Sequence, residues 1–229
     1  MISMKILEKI KQLFLDSQYE LRARKTCIPD IIEYPVPFVC QYARKEDVEN
    51  IVKRKLHIRN DPFWHLSGAR SSKEYARWAR EICGMAVASM AIQYFKNKKI
   101  PPISLTRGAF AHNVYSIKSS EISPMRYREF SSWIIKYGLK AEVHPRLSVR
   151  GIQFALAEKK LPIVSVNPGI RDYTKTLPIQ SGRHLVVITG YNIPHQTLFL
   201  NNPSGFLSTN TQENHAVSIK KFRRYYASR

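Results

Sequence analysis

The sequence predicts an α+β fold in which a helical half precedes an antiparallel sheet, and three observations carry this. The most apolar long segment, "EICGMAVASMAIQYF" from Glu81 to Phe95, has helical character and lies in the first half of the chain. Beyond Leu161 the chain changes to short β-branched or aromatic runs, "LPIVSVNP", "HLVVITGYN" and "QTLFLNNP", bounded by Pro, Gly and Asn as strands are. The second and third are separated by "IPH", a connection of hairpin length. Helices first and strands after, without βαβ alternation, is the α+β pattern.

In chain order, residues 4 to 25 place Ile6, Ile10, Leu13, Phe14 and Leu21 on one helical face. That face is expected to pack on the domain's own core, with a membrane surface or a partner as the alternative support. Residues 1–27 thus form an N-terminal amphipathic helix appendage, and residues 28–229 one domain. "IPDIIEYPVPFVCQYA" carries prolines at 29, 35 and 37 and is expected to be extended. "RKEDVENIVKRKL" reads as a helix and "NDPFWHLSGARSS" as a loop. "SSKEYARWAREI" has Ser71 followed by Glu74, a capping box that opens a short helix leading to Cys83. "NKKIPPISL" is a breaker. "SPMRYREFSSWIIKYGL" reads as a helix capped by Ser123, with Pro124 in its first turn and Gly138 as its stop. "SVRGIQFALAEKK" is a further helix, and "HAVSIKKF" the last strand, with Val217, Ile219 and Phe222 pointing inward.

The chain has 229 residues, 44% of them hydrophobic, enough to bury a sizeable core. Its longest apolar stretches are too short to span a bilayer, and Lys5, Glu8, Lys9 and Lys11 interrupt the N-terminus unlike a secretory h-region. A cytoplasmic location is expected. Three cysteines, Cys27, Cys40 and Cys83, stand at no metal-ligand spacing, so neither a disulfide framework, a metal nor a cofactor is expected. The net charge of +20 implies attraction to polyanions and says nothing of fold. No helix-turn-helix, zinc-finger or aromatic RNA-binding signature accompanies it. The one concentration, "KKFRRYY", is either a docking strip for an acidic partner or the outer face of the last strand.

A free cysteine before so apolar a segment is ordinarily core filling. At a helix start, however, the N-terminal partial positive charge lowers a thiol pKa and makes a nucleophile. Such a nucleophile needs a base, a group that orients the base, and an oxyanion donor. His184 opens the most apolar strand, and Asn202 ends the strand paired with it, just before Pro203. Folding the hairpin brings Asn202 towards His184 and leaves the other ring nitrogen for Cys83. Each has a plainer reading, an edge histidine and the turn "NNPSG".

The runs "ICGMAVASMAIQYF", "LPIVSVN", "GRHLVVITGYN" and "LFLNNPSG", in this order, resemble the papain-superfamily cysteine peptidases typified by bacteriocin-processing, double-glycine leader peptidases and their stand-alone bacterial relatives. The resemblance implies a papain-like fold with Cys83 as nucleophile, His184 as base and Asn202 as its orienter. It also implies Gln41, in "YPVPFVCQYA", as oxyanion donor, and an insertion around residues 43–70 that separates Gln41 from Cys83. Met85 stands where the family has proline, and Trp78 and Arg80 are alternative donors. The implied activity is acyl transfer through a Cys83 thioester, as a hydrolase acting on a peptide or amide, or as an amide-forming acyltransferase or cyclase in a peptide natural-product pathway. A catalytically retired binding module with a basic surface for an acidic protein or leader peptide is the reading of another class.

Overall fold

The computed structural model describes residues 4–145, 147–173 and 182–226. Helix α1 (Met4–Lys25) leads to a short strand β1 (Ile31–Glu33) and then to α2 (Val48–Val52), α3 (Ser72–Trp78), α4 (Cys83–Lys96) and α5 (Pro102–Ala111). A two-stranded hairpin, β2 (Ile117–Lys118) and β3 (Glu121–Ile122), precedes α6 (Tyr127–Trp133) and α7 (Val149–Ala157). The sheet follows as β4 (Ile163–Val166), β5 (His184–Asn192), β6 (Thr197–Asn201) and β7 (His215–Ser218), and α8 (Ile219–Arg223) closes the described chain. The fold is α+β, with every pairing antiparallel.

β5 is the organising strand. One edge pairs with β6, and the other with β4 from His184 to Val187 and with β1 from Gly190 to Asn192. Its nine residues are buried up to Tyr191, which is why it reads as a continuous apolar run and not as an alternation. α4 lies against β5 and α5, so it is apolar all round, as a helix enclosed on every side must be. Val87 and Met90 of α4 pack on Leu185 and Val187 of β5 in a small core between the two halves. A larger core joins α3, α4, α5 and α6, and another joins the sheet to α1, α7 and α8.

Several expectations need correction. The apolar face of α1 does not lie on the core: Ile6, Ile10, Leu13, Phe14 and Leu21 are 46–61% exposed, and the helix packs on α7 through Tyr19 and Ala23 instead. Tyr19 meets the Phe154 ring and reaches Glu158, while Asp16 binds His144, so a polar-edged face takes the contact. The segment "NKKIPPISL" starts α5, with Pro102 in the first turn where its missing N–H costs nothing. α6 begins at Tyr127 because Ser123 is used elsewhere, accepting from the Ser116 N–H at 2.8 Å beside the β2–β3 hairpin. The last strand ends at Ser218, whose hydroxyl caps α8 by accepting the Lys221 N–H at 3.2 Å. Val217, Ile219 and Phe222 are buried all the same, two of them from a helix. Residues 43–70 contribute Val48, Ile51 and Ile58 to the helical core, and Asp61 there accepts from the Tyr75 hydroxyl at 2.7 Å.

Candidate active site

The site forms where the start of α4 meets the start of β5. Cys83 is the first residue of α4, whose N-cap, Ile82, supplies no side-chain cap. The next residue has to be small: a Cβ on Gly84 would stand 2.5 Å from Met125 Sδ and 2.9 Å from Tyr115 Oη. The Cys83 side chain packs against the small core that holds Leu185, the residue that follows His184. Burial raises its pKa, opposed by the Leu185 N–H, the charge of Arg171 and the Gly84 N–H. The lowered thiol pKa expected from the helix terminus is not what results, because loss of solvent outweighs the local dipoles.

His184 is buried at the mouth of β5. Its Nε2 lies 2.7 Å from Asn202 Oδ1, and since that oxygen only accepts, Nε2 carries the proton. Nδ1 is then the basic nitrogen, and it takes no hydrogen bond among the described residues. Burial, followed by the charge of Arg171, lowers the imidazole pKa to about 3, against the opposing bond to Asn202. In the resting protein both thiol and imidazole are neutral.

Asn202 sits one residue past the end of β6, where its N–H donates to Gln212 O at 2.7 Å and its Oδ1 also accepts from Ser204 N at 3.2 Å. Its Nδ2 is buried without a partner among the described residues. Ser204, fully buried, places its hydroxyl 3.3 Å from His184 Nε2. Gln41 is buried beside these groups: its backbone N–H donates to Pro203 O at 2.8 Å, and its Nε2 donates to Ala79 O at 2.8 Å. It ties the turn holding Asn202 to the segment entering α4, with one amide proton already engaged. Trp78 is packed edge-on against Phe110 and Tyr115 in the helical core, and Arg80 donates to Ile51 O at 3.0 Å.

Two members of this constellation escape sequence reasoning. Ser204 lies inside "NNPSG", which reads as a turn, and Arg171 is one of 37 basic residues at no diagnostic spacing. Arg171 ends a 3-10 turn, Pro168–Arg171, capped by Asn167, and its Nε donates to Ser204 Oγ at 2.7 Å. Its carbonyl accepts from Thr209 and Thr211. No group of three or more His, Cys, Asp or Glu side chains suited to a metal ion occurs among the described residues. No described helix is long and apolar enough to cross a membrane.

The model of the Peptidase_C39 like family matches residues 69–229, well over half of the chain. The chain belongs to that family and is a relative of the C39-type, papain-like cysteine peptidases. The match contains Cys83, His184 and Asn202 and begins after Gln41. No curated protein and no solved structure matches the chain.

Proposed function

We propose that this member of the Peptidase_C39 like family transfers acyl groups through a thioester on Cys83, and that its reaction is hydrolysis of a peptide or amide bond. The observation that carries the reading is the His184 Nε2 to Asn202 Oδ1 bond of 2.7 Å, on a strand whose next residue, Leu185, belongs to the small core against which Cys83 packs. It fixes the tautomer that leaves Nδ1 as the basic nitrogen.

In the first step His184 Nδ1 takes the Cys83 proton as sulfur attacks the substrate carbonyl. The resulting oxyanion is held by the Cys83 N–H and the second amide proton of Gln41. Transfer of the proton from His184 to the leaving amine breaks the C–N bond and leaves a thioester. Water, deprotonated by the same nitrogen, then attacks, and the thiol is reformed as the carboxylic acid departs. A neutral resting pair suits this sequence, since neither charge has to be desolvated before substrate binds.

A quenched fluorescent peptide library provides the test. Turnover should vanish in Cys83→Ala and persist in Cys27→Ala and Cys40→Ala, with melting curves unchanged, because alanine fills the small thiol site at little cavity cost. Undiminished turnover by Cys83→Ala overturns the thioester. Hydroxylamine in the same assay reports the intermediate: hydroxamate formed at the expense of acid marks an acyl-enzyme that a nucleophile intercepts, and its absence in Cys83→Ala ties that acyl group to the thiol.

A further inference from the structure

We propose that Arg171 is an anion-recognition residue beside the nucleophile, so that the acyl substrate carries a carboxylate close to the bond that is cleaved. The inference rests on the reading of Cys83 and His184 as the reacting pair and names the class of substrate they take.

Arg171 is held in place from three directions: Nε by Ser204 Oγ at 2.7 Å, and its carbonyl by the Thr209 and Thr211 hydroxyls. Ser204 in turn touches His184 Nε2 at 3.3 Å, which sets the guanidinium one hydroxyl away from the base. The Nη edge donates no hydrogen bond among the described residues, and Arg171 makes no ion pair among them, yet the side chain retains some accessible surface. Its charge reaches Cys83, His184 and Tyr42. Burial pulls the guanidinium below its usual pKa, against the opposing influence of Tyr42, Cys83 and Asp172.

A desolvated guanidinium whose Nη edge donates no hydrogen bond among the described residues is costly unless something answers it. The acyl-transfer steps derived above do not use Arg171, and holding the loop needs only its backbone carbonyl and a neutral donor to Ser204. A planar fork with a free Nη edge matches a carboxylate in bidentate fashion. The same chemistry is offered by the terminal carboxylate of a peptide and by an Asp or Glu side chain, and the two are separated below.

Iodoacetate and iodoacetamide carry the same warhead and differ in a carboxylate. Their rates at Cys83, each divided by the rate on glutathione, give a ratio from which changes in thiol pKa cancel. The ratio should favour iodoacetate in the wild type by about tenfold, in line with one charge-assisted contact, fall to one or below in Arg171→Gln, and recover in part in Arg171→Lys. A ratio that Arg171→Gln leaves unchanged overturns the proposal. Binding is read independently of sulfur chemistry in Cys83→Ala, as the rise in melting temperature with N-acetyl-Gly-Gly, with its C-terminal amide, and with N-acetyl-Glu amide. Stabilisation by the first alone assigns a terminal carboxylate, and by the third a side-chain carboxylate; both should disappear in Cys83→Ala/Arg171→Gln. Equal response to acid and amide rejects the anion site, whereas absent labelling of Cys83 with an intact carboxylate preference rejects the thioester alone.

Discussion

At the scale of the residue, a buried imidazole, His184, and a partly covered thiol, Cys83, set the behaviour of the site. His184 has its pKa lowered to about 3 by burial and by Arg171, while an unfolded histidine titrates near 6.5. Below about 6.5 the unfolded chain binds a proton that the folded chain refuses, so folding stability falls with pH down to about 3. The slope approaches ~1.4 kcal/mol per pH unit. Urea melts from pH 7 to pH 4 should show this loss in the wild type and a smaller loss in His184→Gln. Equal slopes would mean that His184 is solvated. Asn202→Ala should slow turnover less than His184→Ala, because an orienting amide contributes geometry and the base carries the proton. Equal losses would mark Asn202 as the prop of its turn, where Gln212 O and Ser204 N also bind it. Cys83, His184 and Asn202 are legible in the sequence because each stands at the boundary of an element that periodicity and punctuation reveal. Arg171 and Ser204 are not, since they act from irregular loops whose meeting depends on tertiary folding.

At the scale of the element, α1 shows where periodicity misleads. Its apolar stripe is real, but the side facing α7 is set by Tyr19, Ala23 and Asp16, and hydrophobic periodicity ranks those residues below Ile10 and Phe14. Substitution to serine at Ile10 or Phe14 should therefore shift stability by no more than about 0.5 kcal/mol. Tyr19→Ala should cost about 3 kcal/mol, through loss of its contacts with Phe154 and Glu158. Thermal melts of the three variants rank them, and a larger cost at Phe14 than at Tyr19 would reverse the helix. α5 was hidden for a related reason: a proline pair reads as a break, although proline in a first turn is where helices tolerate it. In α8, Lys221 lies 3.7 Å over the Tyr173 ring while Ile219 and Phe222 are buried, so part of the basic strip is structural. A docking role then falls to Lys220, Arg223 and Arg224. Neutralising these three should flatten the salt dependence of substrate binding and leave the rate on a small saturating peptide unchanged, since their charges are screened over ~8 Å. An unchanged salt slope would return them to solubility.

At the scale of the whole molecule, a helical half and a sheet half are pressed together by α4 on β5, and the proposed reacting pair, Cys83 and His184, stands at the first residues of these two elements. The order of elements announces this architecture, because long apolar helices and short β-branched strands differ in composition as well as in period. The hairpin of β5 with β6 is announced by the short "IPH" connection, whereas the pairing of β5 with β1 and β4 is not, since it joins segments remote in sequence. The three thiols of the chain allow the proposed nucleophile to be tested within one molecule: Cys27 is exposed, Cys40 has its pKa raised to about 12 by burial, and Cys83 is partly covered. Accessibility alone ranks Cys27 first. Limiting iodoacetamide at neutral pH, followed by peptide mass mapping, measures which thiol reacts. A nucleophile served by His184 predicts that Cys83 is alkylated before Cys27 in the wild type and after it in His184→Ala; alkylation of Cys27 first in both proteins would contradict that prediction.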